Sequence, residues 1–426
     1  MTVSAPAVEQ AHGTAAAPDA VAPPPGHPRF PLIDSLRAIA ALSVVLVHAG
    51  GLTVTPEDGF VSHAEVGVAV FFAISGFLLY RPFVSARLNG ARRSTLAGYL
   101  RRRLLRIVPA YWLALTVLAI WPGATGVFSG HFWVFYGFGQ IYSDRYVLDG
   151  IAPAWTLCIE ITFYLLLPVY AAAVGALVGR LARRRQVAAE LGVLAAIAIA
   201  SAVYRWLLRS DGSLSWVLNA LPTHLDWFAP GMALAVLSAH WQEGEPPRLA
   251  RLVARRPWIA LAFSACAYAL VSLTEHGPQL VRAGIHPVLI YTAPQDLERH
   301  TLYAATAIGL LVPAVLGTGG WLRRVLAWRV LAWLGLVSYG IYLWHQNLLV
   351  WICQPGPELG CSFHGLPGAH RSPLLALFGL GALAAVACAA ASYYGVERPI
   401  LRFKERRAVS PRPAGAPAAA GGGGRP

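Results

Sequence analysis

The chain is 426 residues long, 56% hydrophobic and only 13% charged, with a mean hydropathy of +0.54. A soluble globule carries about twice that share of charge, so this composition excludes one and indicates a polytopic membrane protein. The net charge of +14 does not indicate nucleic acid, because the basic residues cluster between apolar runs, mainly at every second junction, as the positive-inside rule describes.

Residues 1–30 are rich in Ala and Pro and lack the basic and apolar regions of a signal peptide, so they read as a disordered tail. Apolar runs that approach the roughly 20-residue span length then follow at about 32–52, 66–84, 103–122, 153–178, 188–209, 216–239, 257–275, 301–318, 328–352 and 373–395. With ten spans, the clusters around Arg101–Arg106, Arg183–Arg185, Arg248–Arg256, Arg323–Arg329 and Arg398–Arg407 all fall on the cytoplasmic side. Opposite loops keep Arg145, Arg282, Arg299 and Arg371, with Arg205 and Arg209 near one outer helix end. Counting the aromatic segment Phe128–Tyr142 as a span would put the Arg183 cluster outside, so that segment is read as interfacial or re-entrant. The expected fold is all-α, a membrane helical bundle of about ten transmembrane helices with both termini cytoplasmic. It occupies residues 31–403 as a multi-pass protein of the cytoplasmic (inner) membrane, and 404–426 form a second disordered tail. Cys353 and Cys361 flank a Pro/Gly loop on the outer side, where a disulfide is permitted.

Ionisable residues inside apolar spans are costly and are functional candidates by default. The first span carries two, Arg37 and His48. Eleven positions make three turns plus about 20°, so both face one way, roughly 16 Å apart along the axis. A neutral imidazole can accept a hydroxyl proton near neutral pH, while Arg37 could contact an anion or serve as an interfacial anchor. Arg103 and Arg106 share a helix face at the third span, where guanidinium forks suit bidentate phosphate binding and also suit anchoring. Glu160 lies in the outer half of the fourth span, with Cys158 two residues before it. Trp155, and Tyr339 and His345 in the ninth span, could stack on or bind a sugar, or belong to an aromatic belt. No Walker, zinc or G-x-G-x-x-G pattern is present, so neither a metal nor ATP hydrolysis is expected.

Five patterns occur in order. They are Asp34-Ser35-Leu36-Arg37 with His48, Gly67–Phe83 (GVAVFFAISGFLLYRPF), Arg103-Leu104-Leu105-Arg106 with Pro109 and Tyr111, Trp155–Pro168 (WTLCIEITFYLLLP), and Ser338–Leu349 with Val396–Ile400. Together they resemble the acyltransferase 3 family, bacterial integral-membrane enzymes that O-acylate sugars, glycolipids and antibiotics. The chain departs from the family pattern at Ser35, Ala69, Thr156 and Ile161. The resemblance implies transfer of an acyl group, acetyl or another short chain, from cytosolic acyl-CoA to a hydroxyl of a sugar, glycolipid, cell-envelope polymer or glycosylated metabolite. His48 would then be the general base and Glu160 a second catalytic group. Arg37, Arg103 and Arg106 would hold the CoA phosphates, and Trp155, Tyr339 and His345 the acceptor. The lipid bilayer is the remaining partner, and nucleic acid is not expected. A transporter or flippase of a lipid-linked sugar is the alternative, since intramembrane His and Glu also suit a proton relay.

Overall fold

A helix forms in each of the ten apolar stretches in the computed structural model, which describes residues 31–53, 59–91, 95–211, 216–242, 246–274, 279–283, 286–317, 320–354, 361, 363 and 373–402. The two expected tails, 1–30 and 404–426, lie outside the described residues. The first half of the chain gives α1 (Pro31–Thr53), the short α2 (Gly59–Ser62), α3 (Val66–Leu88), α4 (Leu96–Ile120), α5 (Phe132–Tyr136), α6 (Trp155–Val178) and α7 (Arg183–Ser210). It continues with α8 (Leu225–His240), α9 (Arg248–Arg255) and α10 (Trp258–Thr274), then an antiparallel hairpin of β1 (Gln279–Ala283) and β2 (His286–Ile290). The last helices are α11 (Ala293–Leu316), α12 (Trp321–Leu326), α13 (Arg329–Cys353) and α14 (Pro373–Ser392), which runs on through a π turn at Tyr393–Glu397. Apart from the one hairpin, the described fold is all-α.

By length and hydropathy, seven helices could cross a membrane, and eight if α9 and α10, bent 88° to each other, count as one span. That is fewer than the ten spans expected from the sequence. Two causes are visible. The α8 helix has only 16 residues, against the roughly 20 that a bilayer requires. The α13 helix has 25, but its consecutive polar residues His345, Gln346 and Asn347 lower its hydropathy.

The aromatic segment after α4 does not cross. Its helix, α5, is five residues long, and the chain folds back so that Phe135, Gln140 and Ile141 are fully buried. Tyr111 of α4 donates to the Phe135 carbonyl at 3.0 Å, and Trp112 to that of Tyr136 at 2.9 Å. Cys353 and Cys361 are joined as a disulfide, their Cα atoms 4.5 Å apart.

Close helix approach depends on glycine, as is common where helices pack without a strong hydrophobic drive between them. A Cβ on Gly231 of α8 would lie 1.9 Å from the Ala73 carbonyl oxygen of α3. One on Gly335 of α13 would lie 1.8 Å from the Asp34 carbonyl oxygen of α1. Ser35, one of the departures from the pattern that the sequence resembles, is completely buried and donates to the Leu326 carbonyl of α12 at 2.5 Å.

Three arginines read from the sequence as outer-loop or helix-end cations sit instead in ion pairs. Arg205 is 5% exposed and grips both carboxylate oxygens of Asp296 through Nε and Nη2. Arg299 donates to Asp296 at 2.9 Å and also pairs with Glu65. Arg209 Nε stands 3.5 Å from Asp296. Glu190 of α7, with no exposure, is held by Tyr80 and Arg87 of α3. Charges removed from water are tolerated only when paired and hydrogen-bonded, and these pairs tie α7 to α3 and to α11.

Gly335→Ala is expected to lower the melting temperature of the detergent-purified protein, because overpacking costs about 1–3 kcal/mol. Gly192→Ala, at a helical glycine with nothing within 4 Å of an added Cβ, should leave it unchanged or raise it. Thermal unfolding of both variants beside the wild type checks this.

Candidate active site

The amphipathic logic of α1 places Arg37 and His48 toward α13, each against a different stretch of that helix. Near the first turns, Arg37 lines a cavity of about 70 Å³ bounded by α3, α4, α6 and α13. Its polar lining includes Ser75, Arg106, Glu160, Tyr164 and Tyr339. Ser75 donates to Glu160 Oε1 at 2.5 Å, and the Tyr339 hydroxyl donates to the Ile107 carbonyl at 3.0 Å. Thr156 and Tyr342 line the cavity too, hydrogen-bonded to each other at 2.9 Å.

Most polar atoms here are satisfied within the protein, and two guanidinium nitrogens are not. Arg37 Nη1 is buried without a hydrogen-bond partner, with Asp34 Oδ1 3.5 Å away as an ion-pair neighbour. Arg103 Nε is likewise buried without one. Arg103 and Arg106 share a face, but only Arg106 is part of the cavity wall. A buried donor left unsatisfied costs about 1–3 kcal/mol, so this end of the site favours an incoming acceptor oxygen.

Three turns further along α1 the chemistry changes. His48 Nδ1 lies 3.0 Å from His345 Nε2 and 2.9 Å from the Val44 carbonyl. His345 is fully buried, and its Nδ1 faces two carbonyls, Tyr342 O at 2.8 Å and Ile341 O at 3.2 Å. Carbonyls only accept, so His345 carries its proton on Nδ1 and its Nε2 is the acceptor in the neutral ring. His48 Nδ1 therefore donates, and the basic lone pair of His48 falls on Nε2. The hydrogen-bond network thus selects one tautomer of each ring.

Tyr342 stands between the cavity and this histidine pair. Its ring centroid is 5.6 Å from that of His345 and 5.9 Å, edge-on, from that of Phe71. A 70 Å³ cavity holds only a few waters at about 10–15 Å³ each.

The structure therefore groups the residues singled out in the sequence in three ways. Arg37, Arg106, Glu160 and Tyr339 meet at the cavity, with Arg103 beside it in sequence. His345, read as an acceptor contact, is instead the hydrogen-bond partner of His48. Trp155 is away from the cavity wall, its ring 5.4 Å from that of His224. Cys158 is buried, as a packing thiol would be. Ser75, Thr156 and Tyr164 of the cavity lining were not singled out in the sequence as site residues, nor was the buried Asp226–His300 pair outside it. Ser75 bonds to Glu160 from within the Ser75-Gly76-Phe77 pattern, and that pattern was the available signal. Asp226 accepts from His300 Nδ1 at 3.0 Å in a buried pair stacked on Trp227, and no spacing in the sequence announces it. Among the described residues no cluster of His, Cys, Asp and Glu could hold a metal ion.

Comparison with known proteins places this geometry in a family. The chain is 24% identical to YrhL of Bacillus subtilis, named for peptidoglycan O-acetylation, over 88% of this chain and 55% of that protein. It is 24% identical to the peptidoglycan O-acetyltransferase OatA of Listeria monocytogenes over 75% of this chain and 49% of that one. BcsY of Komagataeibacter xylinus, named as a membrane-bound transacylase, is 28% identical over 90% of this chain and 86% of its own length. The chain spans about half the length of the two peptidoglycan relatives. No solved structure matches. The family profile described as an acyltransferase domain covers residues 30–394, nearly all of the described bundle. The chain belongs to the acyltransferase 3 family and is a multi-pass membrane protein.

Proposed function

We propose that this protein is an O-acyltransferase that moves a short acyl group, acetyl foremost, from acyl-CoA to a hydroxyl of a cell-envelope sugar. The observation that carries this reading is the pairing of two unlike ends along one face of α1. At one end, Arg37 Nη1 is a buried donor without a hydrogen-bond partner, as is Arg103 Nε on the neighbouring α4. At the other, His48 Nδ1 lies 3.0 Å from His345 Nε2, which leaves His48 Nε2 as the basic nitrogen in this reading. An extended donor with phosphates at one end and a thioester at the other suits such a face. The acceptor class follows from the relatives named for peptidoglycan O-acetylation.

In the proposed reaction the acceptor hydroxyl attacks the thioester carbonyl while His48 Nε2 takes its proton. The new C–O bond forms, the C–S bond breaks, and His48⁺ returns the proton to the departing thiolate. The products are the ester and free CoA thiol, with no net proton gained or lost. His345 accepts the His48 Nδ1–H throughout and so keeps the basic nitrogen on the Nε2 side. Glu160, held by Ser75, balances the cavity arginines and can accept from a bound hydroxyl. Both termini cytoplasmic, with the arginine end facing the cytosolic donor pool in the inner membrane, is the orientation that suits this reading. The histidine pair would also serve a proton relay in a flippase. Membership in the acyltransferase 3 family favours the enzyme.

The test is acyl-CoA binding by calorimetry on detergent-purified protein, combined with an acyl-transfer assay on glycan strands. His48→Ala should bind donor as the wild type does and lose a factor on the order of 10²–10⁴ in transfer rate, the usual worth of positioned proton transfer. Arg37→Ala/Arg103→Ala should lose donor binding. Undetectable acyl-CoA binding by folded wild type would defeat the proposal.

His345→Ala should lower kcat by about tenfold or more while leaving donor Kd unchanged, since it releases the tautomer of His48 without touching the donor site. The pH–rate profile should move with it. A His345→Ala enzyme with unaltered kcat and pH profile would show that the pairing is only structural.

A further inference from the structure

The α9 helix plays no part in the site, yet its composition is the most polarised of any helix described here. It reads Arg248-Leu249-Ala250-Arg251-Leu252-Val253-Ala254-Arg255 and is followed by Arg256, Pro257 and Trp258. At 100° per residue, Arg248, Arg251 and Arg255 fall within an arc of about 60°. Leu252 borders that stripe, and Leu249 lies next to it. Ala250, Val253 and Ala254 are half-buried, whereas the leucines and the tryptophan that follows do not turn inward: Leu249 is 70% exposed, Leu252 41% and Trp258 55%. Arg248, Arg255 and Arg256 are exposed as well. No acidic residue occurs between Pro246 and Trp258.

The bend supplies the orientation. Helices α9 and α10 meet at 88°, so where α10 runs along the bilayer normal, α9 lies across it. A short helix in that attitude, with a basic stripe beside exposed leucines and a tryptophan at its end, matches the boundary where acyl chains give way to headgroups. A nucleic acid or a polar protein surface would satisfy the arginines and leave Leu249 and Leu252 in water. A leaflet containing anionic lipid satisfies both sets at once, because basic residues at that depth are drawn to the negative surface potential.

We infer that α9 is a docking site for anionic phospholipid, with the phosphate and glycerol headgroup against Arg248 and Arg255 and the acyl chains over Leu249, Leu252 and Trp258. This assignment is independent of the acyl-transfer reaction.

The test uses the full chain reconstituted in nanodiscs of phosphatidylcholine and phosphatidylglycerol at three to one. Lipids retained on the protein are read by native mass spectrometry after gentle release into detergent. Wild type should retain phosphatidylglycerol at least threefold above its bulk share, and R248Q/R255Q should fall to the bulk ratio. R323Q/R324Q removes the same charge on α12 and should keep the wild-type enrichment, as should R248K/R255K. Absence of enrichment in the wild type, or its persistence in R248Q/R255Q, would overturn the assignment. Equal loss in R323Q/R324Q would also do so, because the preference would then be one of net charge. Elution profile and melting temperature confirm that each variant is folded.

Discussion

An ionisable or polar side chain placed between apolar helices has no water to turn to, so the protein itself must complete it. Much of the polar interior follows from that constraint. Asp296 draws Arg205 and Arg299 around it, Glu190 draws Tyr80 and Arg87, and Glu160 takes the Ser75 hydroxyl. These pairs fix which helices are neighbours as firmly as the glycine contacts do. The unfinished places are the informative ones. Guanidinium nitrogens of Arg37, Arg87, Arg103, Arg209 and Arg299 are buried without a hydrogen-bond partner, and of these five arginines only Arg37 lines the cavity.

The two ends of the site are coupled through a single helix. Gly335 of α13 rests on the backbone of α1 at Asp34, beside Arg37, while His345 of the same helix bonds to His48. The α1–α13 pair thus carries Arg37 near one end and the His48–His345 bond near the other. Between them stands Tyr342, held by Thr156 of α6.

Helices are the most legible part of such a chain, because a run of apolar residues can satisfy its backbone in a bilayer only by coiling. The common face of Arg37 and His48 was legible too, since it depends only on helical period. What depended on tertiary approach was not. His345 lies 297 positions from His48, and nothing local separates a histidine that pairs with another histidine from one that meets a sugar. Arg205 and Arg299 were read as outer cations because a charge near a helix end ordinarily points to water. Asp296 and Glu65, the residues that draw them inward, are distant in sequence from Arg205 and Arg299 respectively, or one turn away on a helix whose burial was unknown. Trp155 belonged to a recognisable pattern, yet which neighbour its ring meets is decided by where the chain places His224, just before α8. The expectation of ten spans counted apolar length without allowing for the polar residues that a site must carry.

The polar run His345-Gln346-Asn347 has a consequence for how the chain enters the membrane. On its own, α13 is a poor candidate for transfer into lipid, because the residues that pair with α1 are the ones that resist leaving water. Its most apolar neighbour is α14, the next helix in the chain, with which it packs extensively. Insertion as a two-helix hairpin lets α14 carry α13 across, and the His48–His345 bond can form only after α1 is already in place. The His48–His345 pair is therefore also a late step of assembly, closed when one of the last helices meets the first.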